Sequence, residues 1–178
     1  LKKILKINPS DTTIQSELAR AYEDSGEDPL ELFKVRFEEN PENASYAVEY
    51  ADKLMSNGDT DDAIDVLENT LSYNKGNSMI YMTLGKAYNE NSDFDDAVDI
   101  LEDLFDLDRN NFRVAMLISV NNIEMDNFKS AFEWAKKSMK ISKNNAESLA
   151  HMGNLYYKSM QSCRGDNFSR SDKIVASL

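Results

Sequence analysis

"LGKAYNENSDFDDAVDIL", residues 84–101, sets Leu-Gly-x-x-Tyr ahead of an acidic, amphipathic stretch in which Ala97 follows Tyr88 by nine residues. Its phrasing returns when the chain is shifted by 34. Ala63, Ala97 and Ala131 stand 34 apart and belong to "DDAIDVLENTL", "DDAVDILEDLF" and "KSAFEWAKKSM". A second set of small residues keeps the same interval upstream: Ala51, Gly85, Ser119 and Gly153. A period of this length marks a chain of stacked supersecondary units.

Two small residues per unit have a physical meaning. Antiparallel helices joined by a short turn pack closely only where each offers a small side chain at the crossing. Large apolar residues then surround that contact. Tyr50, Leu84, Ile118 and Met152 precede the first small site, and Leu54, Tyr88 and Tyr156 follow it by three. On the second helix Leu67 and Leu101, then Leu71, Phe105 and Met139, then Tyr73, Leu107 and Ile141 form the expected buried stripe. Phe94 and Phe128 are expected to wedge the turns.

These residues carry a family likeness. In residues 78–111, Tyr81, Leu84, Gly85, Tyr88, Ala97, Leu101 and Leu104 resemble the tetratricopeptide repeat, with Arg109 where that repeat usually has Pro. Residues 44–77 and 112–145 keep the period with weaker motifs, Ser119 replacing Gly and Asn122 replacing Tyr. The resemblance implies an all-α fold: a right-handed superhelix (α-solenoid) of stacked antiparallel helix pairs, with each first helix lining the concave face. One tetratricopeptide domain is expected over 1–178. It would hold a half repeat at 1–9, whole repeats at 10–43, 44–77, 78–111 and 112–145, and a fifth at 146–178. In that fifth repeat "MQSCRGDN" reads as a longer inter-helix loop before a truncated second helix from about Ser169.

Composition agrees with an all-α chain. Three Pro and six Gly in 178 residues leave long helix-forming stretches, and no apolar run approaches the roughly 18 residues of a membrane span. The net charge of −12 is uneven: residues 42–111 carry 17 acidic and 4 basic side chains, residues 112–178 carry 6 and 10. So acidic a middle repels phosphate backbones, which argues against nucleic acid as partner. One cysteine, Cys163, excludes an internal disulfide and a multi-Cys zinc site, and leans toward a reducing compartment such as the cytoplasm. The chain starts at Leu1 with no initiator Met or signal peptide and reads as a piece of something longer, which keeps a periplasmic or exported location open.

Stacked repeats leave a long curved surface, so ligand choice rests on residues the period sends to the first-helix face. Roughly positions 2, 5, 9 and 12 of each unit give Val48, Asp52 and Met55, then Met79, Met82, Lys86 and Asn89, then Arg113, Met116, Val120 and Ile123, with Leu117 beside them. The fifth repeat adds Glu147, His151, Asn154 and Tyr157. Polarizable Met with Val and Ile suits an adaptable groove for an apolar peptide or amphipathic helix. The resemblance also raises the family's two-carboxylate clamp for acidic C-terminal peptides. Val48, Asp52, Thr83, Arg113 and Leu117 occupy the candidate positions, and the clamp is not written there.

Other motifs lead to plain readings. "DLDRNNFRVAML" opens like a calcium loop at Asp106, Asp108 and Asn110, but Asn111 replaces the turn Gly and Leu117 the bidentate Glu. The acidic second helices suit helix starts and solvation. His151 and Cys163 have no catalytic context, and Arg164-Gly165-Asp166 is a short polar tripeptide. No catalytic residue, metal site or cofactor is expected. The reading is a non-catalytic protein–protein interaction module that binds a peptide or helical segment in a Met-lined concave groove. Its rivals are a self-association scaffold, in which the partner is a second copy, and a helical adaptor from a longer multidomain protein.

Overall fold

A computed structural model describes residues 12–26, 29–143 and 145–174. The half repeat expected at 1–9 lies outside the described residues. Among those described, every regular element is a helix: α1 (Thr12–Ser25), α2 (Leu30–Glu39), α3 (Ala44–Asn57), α4 (Thr60–Tyr73), α5 (Ser78–Asn91), α6 (Phe94–Leu107), α7 (Phe112–Glu124), α8 (Phe128–Ile141) and α9 (Ala146–Ile174). No described helix is long and apolar enough to cross a membrane. The chain divides into two compact units, Leu1–Ala87 and Tyr88–Leu178.

Backbone hydrogen bonding explains why helices alternate with short turns at a fixed interval. Each first helix from α3 onward starts at an asparagine whose side-chain Oδ1 accepts from orphan backbone N–H groups. Asn43 accepts from Ser45 and Tyr46, Asn77 from Met79, Asn111 from Val114, and Asn145 from Glu147 and Ser148. These four caps are spaced by 34, like the small residues. The turns inside the pairs repeat as well. The N–H of Asp59, Asp93 and Asn127 donates to the carbonyl of Leu54, Tyr88 and Asn122 at 2.8–2.9 Å, a closure that places the preceding residue in the left-handed region. Gly58, Ser92 and Asp126 hold that place, with φ of 90°, 68° and 56°.

In the first unit α2 packs on α3 and α3 on α4. Ala51 and Ala63 have no exposed surface, and Leu54 and Leu67 fill the space beside them. Phe37 stacks on Tyr50 at 5.8 Å between ring centroids. In the second unit α6 packs on α7, α7 on α8, and α9 on both α7 and α8. Ala97, Ala115 and Ala131 are fully buried there, with Leu101, Ile118 and Leu155. Ser119 is buried too, and its hydroxyl donates to the carbonyl of Ala131 at 2.7 Å. A serine therefore serves at the crossing by bonding to the helix it touches, and the polar group costs little. Phe105 meets Trp134 edge-on at 5.1 Å, and Ile123, Ala131, Ala135 and Leu155 form a core against Phe128, Phe132 and Met152.

Several expectations change. Residues 160–168, read as a loop, lie inside one unbroken helix, Ala146–Ile174. That stretch contains no proline, so the i→i−4 ladder can pass Gly165, which weakens a helix without blocking it. Gly153 is exposed, and a Cβ there would meet nothing within 4 Å, since among the described residues no second helix crosses it. Tyr73, Leu107 and Tyr156, placed in the core stripe, are 65%, 55% and 56% exposed. Tyr73 and Leu107 are the last residues of their helices and extend past the packed turns.

Candidate partner-binding faces

Ion pairs between equivalent positions of consecutive first helices cross the face on which a partner was expected. In the first unit Asp52 on α3 pairs with Lys86 on α5 at 3.6 Å, both side chains about half exposed. Beside them Val48 and Met82 are half-buried and Met79 is 47% exposed. Met55 departs from the expectation: it is buried.

In the second unit Arg113 on α7 pairs with Glu147 on α9 at 3.5 Å, and Lys158 with Glu124 at 3.4 Å. Asn89 Nδ2 donates to Asn121 Oδ1 at 2.7 Å. Met116, Leu117 and Val120 are half-buried beside these polar pairs, and Asn154 and Tyr157 are exposed. Tyr157 Oη accepts from Gln161 Nε2 at 2.7 Å. Ile123 and His151 do not belong to this surface. Ile123 is in the core with Leu155, and His151 is buried with its Nε2 2.8 Å from Ser119 Oγ.

Helix geometry accounts for the three misplaced residues. At about 100° per residue, position 12 of a unit has turned some 80° away from position 2, enough to carry Met55 and Ile123 inward. His151 stands at position 6, one step beyond the position 5 of Val48, Met82 and Met116. That step turns it toward α7. Burial lowers the His151 pKa below its ordinary 6.5, so the imidazole is neutral in the core. Ser119 commits its one proton to Ala131, which makes the Nε2–H of His151 the donor to Ser119. Cys163 is exposed on α9, 12 residues or about 18 Å further along the same helix, so the two do not form a reactive pair.

Sequence reasoning overlooked the polar pairs, although they leave a signal. Asp52 and Lys86, Arg113 and Glu147, Glu124 and Lys158 are opposite charges at the same place in neighbouring repeats, 34 apart. On a solenoid that spacing means adjacency.

With this geometry the fold class follows: α-solenoid, built from helix pairs of 34 residues with small residues at each crossing. The tetratricopeptide-repeat family model matches residues 54–120. Solved structures agree along most of the chain. The MamA protein has the same fold at 21% identity, covering 82% of this chain and 81% of its own, with a TM-score of 0.67. A thermophilic tetratricopeptide protein of Thermus thermophilus, TTC0263, matches at 16% identity, 88% and 87% coverage and a TM-score of 0.65. The TPR2B domain of yeast Sti1, solved as a complex with pHsp70, matches at 19% identity over 67% of this chain and 97% of that domain, with a TM-score of 0.59. No curated protein matches by sequence. The chain therefore has the tetratricopeptide-repeat fold, with the sequence match to that family lying in residues 54–120.

Proposed function

We propose that the chain is a non-catalytic interaction module that holds an apolar peptide or amphipathic helix of another protein against the first helices of its repeats. One observation carries this reading. Val48, Met82 and Met116 take the same place in α3, α5 and α7, and none is buried, although each is apolar. Partly exposed apolar residues at one position of the first helix, Val48 and Met82 in the first unit and Met116 in the second, suit an apolar ligand on each unit, and the unbranched Met side chains adapt to its shape. The ion pairs flanking them supply a polar rim. That the Sti1 domain of like fold was solved with pHsp70 fits a binding role. A non-catalytic role is supported by the chemistry of the candidate groups: the one histidine is held inside the core as a neutral hydrogen-bond donor.

Selection of displayed 16-residue peptides against residues 1–178, followed by calorimetric titration of the winners, tests the proposal. Peptides with apolar residues at helical spacing should emerge, and Met82→Glu or Met116→Glu should weaken them at least tenfold while leaving helicity intact. Unchanged affinity in both variants would refute the assigned faces.

A further inference from the structure

The outer faces of α6 and α8 carry opposite charge at matching places. Residues 94–107 hold six acidic side chains and no basic one, whereas residues 128–141 hold four lysines and one glutamate. In the 34-residue frame Asp95 corresponds to Lys129, Glu102 to Lys136, Asp103 to Lys137 and Asp106 to Lys140. All eight side chains are exposed. Asp99 and Glu133 are the exception, acidic in both helices.

Opposite charges at that interval form ion pairs between the first helices of this unit, Arg113 with Glu147 and Glu124 with Lys158. Between α6 and α8 they do not. The two helices touch, since Phe105 meets Trp134 at 5.1 Å and Lys137 Nζ lies 5.8 Å from the Phe105 ring centroid. Yet among the described residues no lysine of α8 lies within 4.0 Å of a carboxylate, and in α6 only Asp106 has a cationic partner, Arg109. An open groove of about 600 Å³ is lined by Phe105, Arg109, Asn110, Lys137, Lys140 and Ile141. Leu107, two residues from both Phe105 and Arg109 in sequence, is 55% exposed.

We propose that a second copy of this chain docks on this face, forming a two-fold dimer in which each acidic α6 lies on the basic α8 of the other copy. The charge pattern selects both the partner and the symmetry. A two-fold axis running along α6 and α8 sets α6 of one copy over α8 of the other twice, so each favourable contact is made in duplicate. An axis across the helices would set α6 on α6 and α8 on α8, like on like. The groove and Leu107 supply the apolar part, which is needed because exposed ion pairs contribute little by themselves. The net charge of −12 opposes association at a distance, but screening beyond about 8 Å at physiological salt leaves the local pairs in control at contact. None of the residues assigned above to a peptide partner belongs to this face, so the two readings stand or fall separately.

Sedimentation equilibrium of residues 1–178 tests this. At low salt the mass should rise with concentration from 20.2 kDa to twice that value and stop there. Raising the salt to about 0.5 M should weaken the dimer by about tenfold or more. Asp95→Lys/Glu102→Lys and Lys129→Glu/Lys136→Glu should each stay single with unchanged circular dichroism, because a self-pair of either sets like charges against like. An equimolar mixture of the two should restore the dimer, since each altered face then meets its opposite. A natural chain of single mass up to millimolar concentration would overturn the proposal. So would a dimer indifferent to salt, variants that dimerise undiminished, variants that do not recover on mixing, or growth past two copies, which would mean a head-to-tail contact.

Discussion

His151 Nε2 and Ser119 Oγ lie 2.8 Å apart in the core of the second unit, linking two consecutive first helices. The consequence is a pH dependence of known sign. Burial lowers the imidazole pKa, so above 6.5 the side chain is neutral both folded and unfolded, and the full stability is present. As pH falls below 6.5 the unfolded chain takes up a proton that the folded chain refuses. Stability declines until the lower folded pKa is passed. His151 is the one histidine in the sequence, so the effect can be isolated. Urea midpoints between pH 8 and 5 should fall more steeply for the natural chain than for His151→Gln, which keeps a donor and cannot titrate. Parallel profiles would show that the histidine is not held neutral.

Three equivalent turns place Gly58, Ser92 and Asp126 at φ of 90°, 68° and 56°. Only glycine takes this conformation without a Cβ penalty, which is about 1–2 kcal/mol for an ordinary L-residue and less for aspartate. Ser92→Gly should therefore stabilise by about 1 kcal/mol, Asp126→Gly by somewhat less, and Gly58→Ala should destabilise by about 1 kcal/mol. Chemical denaturation of the three variants reads the order directly, and a loss of stability in Ser92→Gly would contradict it.

The asparagine caps give a second internal comparison. Asn111 Oδ1 accepts from the Val114 N–H at 3.3 Å, and Asn145 accepts from Glu147 and Ser148 at 2.8 and 3.3 Å. Removing such a cap costs about 1 kcal/mol. Asn145→Ala, which loses two bonds, should cost more than Asn111→Ala, and Asn→Asp at either position should keep most of the stability because a carboxylate also suits a helix N-terminus. Equal loss in the alanine and aspartate variants would mean that these side chains do not cap.

What could be read from sequence was whatever depends on size at a fixed interval. Ala63, Ala97 and Ala131 are fully buried because a helix crossing tolerates nothing larger, and that constraint appears as a letter every 34 residues. The capping asparagines carry an equally regular signal, at 43, 77, 111 and 145, which a search for apolar and small residues overlooks. The site was less legible. A face estimated from positions 2, 5, 9 and 12 spans a wide arc, so Met55 and Ile123 at its edge turn into the core. His151 was misplaced for another reason. Its burial depends on Ser119, 32 residues away, whose hydroxyl offers an acceptor that no local pattern announces. The end of the chain divides in the same way, since its residues spell a turn and a second helix while the structure carries one helix through them.

Arg36 and Glu49 form the most sheltered ion pair among those described, and it should behave unlike the exposed ones. Arg36 Nη1 donates to Glu49 Oε2 at 2.6 Å, its side chain is only 12% exposed, and its guanidinium carbon lies 4.0 Å from the centroid of the Tyr46 ring. Its Nε is buried without a hydrogen-bond partner. The pair thus joins α2 to α3 with part of the guanidinium already unsatisfied. Taking away the carboxylate leaves a sheltered cation with even less compensation, whereas taking away the cation also removes the reason for the carboxylate, which can turn to water. Glu49→Gln should cost about 1–2 kcal/mol, and Arg36→Met less, because the thioether still covers Tyr46 and the buried Nε is gone. The exposed Arg20–Asp24 pair, at 83% and 75% exposure, should show coupling below about 0.5 kcal/mol. A double-mutant cycle on each pair separates these cases, and a coupling at Arg36–Glu49 no larger than at Arg20–Asp24 would mean that shelter by Tyr46 adds nothing to the bond.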